Sequence, residues 1–185
     1  MSKHPLEKFK FCPVCGSSHW TVNNVKSKRC ADCGFVYYAN PSSATAAFIV
    51  RSAATGQSAG KSDRLELLVV RRGKEPAKGT LDLPGGFVDM DETAEMGMKR
   101  EIKEETGLDI DSCRYLFSIP NLYVYSGMEI HTLDMFYLCQ APAQVVAKAA
   151  DDAAECLWVP LETVNPADFG LRSIREGVTR FLQNT

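Results

Sequence analysis

Glu101, Glu104 and Glu105 lie within five consecutive residues. On a helix turning about 100° per residue they fall within roughly a 100° arc, so three carboxylates share one face. Such a cluster repels itself unless a cation sits among the acids. Hard oxygen ligands suit Mg2+ or Mn2+, and Mg2+ keeps waters and recruits substrate phosphates. The spacing therefore points to metal-assisted phosphate chemistry. The alternative is a solvated acidic face paired with Lys99, Arg100 and Lys103.

A second constellation is softer. Cys12, Cys15, Cys30 and Cys33 form two C-x2-C pairs separated by fourteen residues, and each pair is followed by glycine, Gly16 or Gly34. Four thiolates at one point suit tetrahedral Zn2+. A redox C-x2-C would need no second pair. A segment of ~30 residues cannot build a sufficient core alone, so a structural Zn2+ acting as a folding staple is the expected role. The other three of the seven cysteines, Cys113, Cys139 and Cys156, stand among apolar residues and read as buried, inert thiols.

The elements that must position these groups can be read from pattern. Ala44–Arg51, Leu65–Arg72, Leu81–Leu83, Arg114–Ile119, Leu133–Gln140 and Leu157–Val159 read as strands. Ser52–Arg64, rich in Gly, Ser and Ala, reads as a flexible hairpin loop. After Pro84-Gly85-Gly86 comes a helix: Asp91-Glu92-Thr93 suits its positive end, Ala94, Met98 and Ile102 recur every four residues, and Gly107 is placed as its C-cap. Leu171, Ile174, Val178, Phe181 and Leu182 mark a closing helix. Strands mixed with two helices predict an α/β sandwich.

The segment from Gly86 to Leu108 resembles the Nudix box, G-x5-E-x7-R-E-U-x-E-E-x-G-U with U aliphatic. Gly86, Glu92, Arg100, Glu101, Ile102, Glu104, Glu105, Gly107 and Leu108 match at every fixed position, and Leu83-Pro84-Gly85-Gly86 resembles the family's lead-in. The resemblance implies a Nudix α/β/α sandwich with a mixed sheet and hydrolysis of a nucleoside diphosphate linked to another moiety. It further implies that Glu101, Glu104 and Glu105 bind Mg2+ or Mn2+ and that Arg100 orients Glu101. Glu92 would brace the loop, Gly85 or Gly86 would lend a carbonyl, and Glu104 or Glu155 would serve as general base. Glu155-Cys156-Leu157-Trp158 is similar to an E-x-x-W segment whose Glu reaches the metals from outside the box.

A zinc ribbon over residues 8–40 followed by a Nudix domain over 41–185 is similar to the NADH pyrophosphatase branch, without that branch's large N-terminal domain. There, S-Q-P-W-P-F-P-x-S recognises the dinucleotide. Here Ser118, Pro120 and Ser126 match and Tyr123 takes the aromatic place, while the Gln, the Trp and two of the prolines are missing. Tyr123 and Tyr125 share a strand face and could stack on a base. An NADH-like dinucleotide is the expected substrate. ADP-ribose, a diadenosine polyphosphate or an NAD-capped RNA is the alternative within the family. A Nudix-like ligand sensor or nucleic-acid-binding regulator is the alternative outside catalysis, against which the intact R-E-U-x-E-E set argues.

Composition narrows the partners. Apolar residues make up 45%, charged residues 24%, and the net charge is −2. That excludes a disordered or collagen-like chain and gives no strong field for nucleic acid or membrane. Residues 1–40 carry six Lys/Arg against two acids, and four zinc-bound thiolates would remove half of that surplus. No apolar run approaches the ~20 residues a spanning helix needs. Met1 to Phe11 lack a signal-peptide stretch, so a cytoplasmic location is expected. A homodimer is also expected.

Overall fold

The computed structural model describes residues 4–53 and 64–184, so most of the loop expected over Ser52–Arg64 lies outside the described residues. The chain forms two compact units. One is Met1–Pro41 with Leu122–His131, and the other is Ser42–Asn121 with Thr132–Thr185.

In the first unit, β1 (Trp20–Asn24), β2 (Ser27–Cys30) and β3 (Val36–Tyr38) form an antiparallel sheet in that order. Its core is small: Cys12, Trp20 and Cys30, with Phe35 packed against them. The Trp20 and Phe35 rings stack at 6.2 Å. The glycines after the two cysteine pairs close tight turns at positive φ, 73° at Gly16 and 76° at Gly34. Their N–H groups donate to the carbonyls of Cys12 and Cys30. A residue with a Cβ is strained there, which explains why each pair ends in glycine.

The second unit is built on a six-stranded mixed sheet. Its strands are β4 (Ser42–Ser52), β5 (Leu65–Arg72), β6 (Leu81–Asp82), β7 (Cys113–Tyr125), β8 (Met128–Gln140) and β9 (Ala153–Pro160). The order is β6-β5-β4-β8-β7, with β9 on β5. β4 and β8 run parallel, while β5 pairs antiparallel with β4, β6 and β9. β4 is apolar on both faces, as a central strand must be. Ala46, Phe48 and Val50 enter the core that holds Ile174, Val178 and Phe181 of α2 (Arg172–Leu182). Ala47 and Ile49 enter the core that holds Met98 and Ile102 of α1 (Ala94–Thr106). The result is a helix–sheet–helix sandwich.

β7 runs well past the expected Ile119, through Pro120. It is an edge strand, where a residue without an N–H is tolerated, and the Pro120 carbonyl accepts from Arg172 of α2 at 2.9 Å. The β7–β8 turn is Ser126-Gly127, both at positive φ, as two-residue hairpins favour. Of the three lone cysteines, only Cys139 is fully buried; Cys113 and Cys156 are half-buried. Burial pushes the thiols of Cys139 and Cys156 up to about 12 and about 11, so neither is a ready nucleophile. Among the described residues no helix is long and apolar enough to cross a membrane.

Candidate active site

The α1 helix is set at both ends. The Thr93 hydroxyl accepts from the Met96 N–H at 3.2 Å, and Gly107, at φ 72°, returns its N–H to the Lys103 carbonyl. Met98 and Ile102 anchor one side in the core. The neighbouring arc, Glu101 to Glu105, is thereby held over the Gly85-Gly86 turn. That turn is fixed in its own right. The Gly86 carbonyl accepts from the Thr45 N–H at 2.8 Å, and the Pro84 carbonyl accepts from Ala47.

Arg100 organises the carboxylates. Its Nε and Nη2 make a fork to the two oxygens of Glu92 at 2.8 and 3.0 Å. Its Nη1 reaches Glu101 at 2.9 Å and Glu104 at 3.1 Å, and Nη2 also caps the Phe87 carbonyl. Glu92 accepts a further N–H from Asp89, closing the loop before the helix. Arg100 holds Glu92 below the usual carboxylate range. Glu101 is raised, because burial outweighs its bond to Arg100.

Glu105 turns inward. It is buried, and its Oε2 accepts from the Gly85 N–H at 3.1 Å. Burial pushes it up to about 8 against that hydrogen bond, and the negative charges of Asp82, Glu101 and Asp152 add to the rise. A buried carboxylate beside three other acids is an environment that favours a bound cation. The hard oxygens of Glu101, Glu104 and Glu105 thus fit a divalent metal of the Mg2+ class. They are not drawn into one tight knot, however, because Arg100 sits between Glu101 and Glu104. Among the described residues only the four ribbon cysteines form a group of three or more whose ligand atoms all lie within 4.8 Å of one another.

Glycine is required where the turn crosses the helix. A Cβ on Gly86 would lie 2.5 Å from the Glu101 carboxyl carbon. A Cβ on Gly85, at φ 147°, would lie 2.2 Å from the Thr45 carbonyl oxygen. Gly85 contributes an N–H to the site, and of the two carbonyls expected as ligands that of Gly86 accepts from the Thr45 N–H and hydroxyl.

Glu155 is not gathered with the helix glutamates. It lies on β9, half exposed, with its carboxylate held by Arg71 Nε at 3.1 Å. Strand alternation accounts for this. Cys156 and Trp158 face the core under α1 and Leu157 and Val159 the core under α2, so Glu155 projects to the α2 side. The acids that do approach α1 from outside are Asp82, Asp151 and Asp152, which act on Glu101 or Glu105. The Ala150 N–H bonds the Glu105 carbonyl at 3.0 Å and brings that loop to the helix. Asp82, inside a two-residue strand, and Asp151 and Asp152, in the turn before β9, belong to none of the sequence motifs.

Of the residues expected to hold substrate, Ser118 and Pro120 belong to the second unit, and Tyr123 and Tyr125 to the first. Tyr125 is exposed. In the ribbon, Cys12 and Cys33 lie 3.7 Å apart (Sγ–Sγ) and Cys15 and Cys30 3.6 Å. A tetrahedron with bonds of ~2.3 Å has edges of ~3.8 Å, so the four sulfurs fit Zn2+. The Cys33 N–H, with that of Asp32, holds the Cys30 thiol down to about 6, while the neighbouring thiols raise Cys15 and Cys33.

A family profile for the NUDIX domain matches residues 45–180. The chain belongs to the Nudix family of hydrolases. It is 31% identical over 118 residues to an ADP-ribose pyrophosphatase of Methanocaldococcus jannaschii, covering 63% of this chain and 67% of that one. It is 29% identical over 125 residues to the NAD-capped RNA hydrolase NudC of Vibrio atlanticus, covering 68% of this chain but 42% of that protein. The match thus spans under half the length of that relative. Among solved structures, a NUDIX hydrolase from Nitrosomonas europaea superposes with a TM-score of 0.64 at 18% identity, over 95% of this chain and 91% of that one. The NUDIX domain of Shewanella oneidensis NrtR, complexed with ADP ribose, gives 0.60 at 19% identity over 78% and 88%. These likenesses bear on the Nudix fold.

Proposed function

We propose that this protein is a divalent-metal-dependent pyrophosphohydrolase acting on a nucleoside diphosphate joined to a second moiety, with an NADH-like dinucleotide as substrate. The observation that carries this reading is the buried Glu105 under the Gly85 N–H, beside Glu101 and Glu104 on the Arg100 guanidinium. Glu101, Glu104 and Glu105 would hold Mg2+ or Mn2+. A metal bound there neutralises the pyrophosphate and lowers the pKa of a coordinated water. Arg100 and Glu92 keep the carboxylates aimed at one side of the helix. Glu104, the most exposed of the three, would accept the proton of the attacking water. Glu155 is the weaker candidate because Arg71 already engages it. Water adds to one phosphorus and the P–O bond to the bridging oxygen breaks, giving two phosphate monoesters. Residues 8–40 would form a zinc ribbon and 41–185 the hydrolase domain, in a cytoplasmic homodimer.

The names of the relatives support two substrate readings, ADP-ribose and an NAD-capped RNA 5′ end. The dinucleotide is favoured by Ser118, Pro120, Tyr123 and Ser126. A base stacked on tyrosine gains ~1–3 kcal/mol, by analogy with single-strand binders. Comparing kcat/KM for NADH, NAD, ADP-ribose, diadenosine polyphosphates and NAD-capped RNA at equal Mg2+ decides among them. We expect the second base to raise kcat/KM. A preference for ADP-ribose with no gain from that base would overturn the dinucleotide reading, and binding without turnover of any substrate would make the protein a sensor.

A further inference from the structure

The α2 side of the sheet carries a cavity of about 540 Å³ that the proposed chemistry does not use. Leu116 and Phe117 of β7 and Leu138 of β8 line it, and Arg114 and Arg180 stand at it. The volume lies within the range of small-molecule sites, ~300–1,000 Å³. Its position separates it from the candidate active site. Val50, which also lines it, is five residues along β4 from Thr45, the residue that pins the Gly86 turn. That is ~16 Å of strand. Val50, Leu116, Phe117, Leu138 and Phe181 of its lining belong to the α2 core, across the sheet from α1.

The charge of this cavity is one-sided. Among the described residues no carboxylate lines it. Arg180 is held over the Phe117 ring, with its guanidinium carbon 4.3 Å from the ring centroid. That contact orients the planar fork without neutralising it. Arg114 is exposed on β7, and neither arginine has an ion-pair partner among the described residues. Two uncompensated guanidinium groups beside an apolar floor match a ligand with an anionic head and an apolar body. Guanidinium forks pair two-pronged with phosphate, whereas the floor excludes a fully polar guest.

We infer that this cavity is a second ligand site, distinct from the candidate active site, for a phosphate monoester with a compact apolar or aromatic body. Arg114 and Arg180 take the phosphate, and Leu116, Phe117 and Leu138 take the body. A compact nucleoside monophosphate and a non-nucleotide aromatic phosphate share this chemistry.

The test is a binding titration of the full chain, zinc retained and no Mg2+ added, with phenyl phosphate as probe. Binding is followed by calorimetry and by methyl NMR of the leucines. We expect saturable binding with shifts at Leu116 and Leu138, and at least ~tenfold weaker binding for Arg114→Glu and for Arg180→Gln. Both residues are exposed, so both variants should fold, and their unchanged methyl spectra without probe would establish it. Inorganic phosphate and phenol should each bind more weakly than phenyl phosphate. Adenosine monophosphate run in parallel tells whether the body pocket admits a nucleoside. Absence of saturation, binding indifferent to both substitutions, or shifts confined to Leu108, in the core under α1, would overturn the inference. None of these readouts depends on turnover.

Discussion

Arg100 touches three glutamates and a loop carbonyl, so the carboxylates of α1 are oriented before any metal arrives. Glu104 lies at the open side of this arrangement. Glu104→Gln keeps its shape and removes its charge and basicity. Turnover should fall by at least ~10² with the melting temperature nearly unchanged, measured under saturating substrate and Mg2+. Near-native turnover would remove the helix glutamates from the mechanism. Glu105 supports a prediction of a different kind. Its carboxyl is raised from 4.5 to about 8 in the metal-free fold, chiefly by burial. The folded state therefore holds a proton that the unfolded chain has lost. The stability this lends is full below pH ~4.5 and is lost as pH rises toward 8. A cation at Glu105 must displace that proton. Mg2+ binding near pH 7 should release close to one proton, read by calorimetry in buffers of differing ionisation enthalpy. Release near zero would place the metal away from Glu105.

At the scale of elements, the site is a helix crossing a glycine turn, and the two glycines should fail differently. Gly85→Ala drives a Cβ into the Thr45 backbone at positive φ, where neither partner can yield. We expect a loss of ~1–3 kcal/mol in unfolding free energy by denaturant titration. Gly86→Ala meets the Glu101 side chain instead. Its carboxylate can swing aside, so stability should change little while activity drops. The helix and its acidic face were legible in the sequence because Ala94, Met98 and Ile102 keep a helical period and Gly107 punctuates its end. The six strands were legible too, in existence if not in length. The sequence pattern ends this strand at Ile119, because the edge position of β7, which excuses the missing N–H of Pro120, cannot be read from one strand. The placement of Glu155 was hidden for a related reason. Which face of β9 it occupies depends on the β5 pairing, and Arg71, its partner, lies 84 residues away. Asp82 gave a local signal of one polar residue between leucines, which does not distinguish a turn from a buried acid.

For the molecule as a whole, two metal chemistries are expected to coexist without competition, because the thiols of the ribbon are soft and the carboxylates of α1 hard. Protein purified without chelators should contain about one zinc per chain by elemental analysis and still require added Mg2+ for turnover. Cys30→Ser should lower solubility or thermal stability, since the ribbon's buried apolar core is little more than Trp20 and two cysteines. Zinc-free protein that melts like the native form would contradict this.

The parallel pairing at the heart of the sheet sets the order in which the molecule can assemble. Ser42 lies opposite Thr132 and Val50 opposite Gln140, partners ninety positions apart. Contacts this distant in sequence are slow to find, because a long loop must close before any hydrogen bond compensates for the lost chain entropy. On a ribosome, β4 and α1 emerge long before β8 exists to cover the edge of β4. During that interval the run Ala44–Val50 is an exposed apolar strand. The four cysteines emerge earlier still, within residues 12–33, so they would be free to gather a Zn2+ while the sheet waits. The unit that holds the cysteines also takes in Leu122–His131, so it is completed only when the β7–β8 hairpin emerges, and until then the apolar run of β4 waits uncovered on its β8 side.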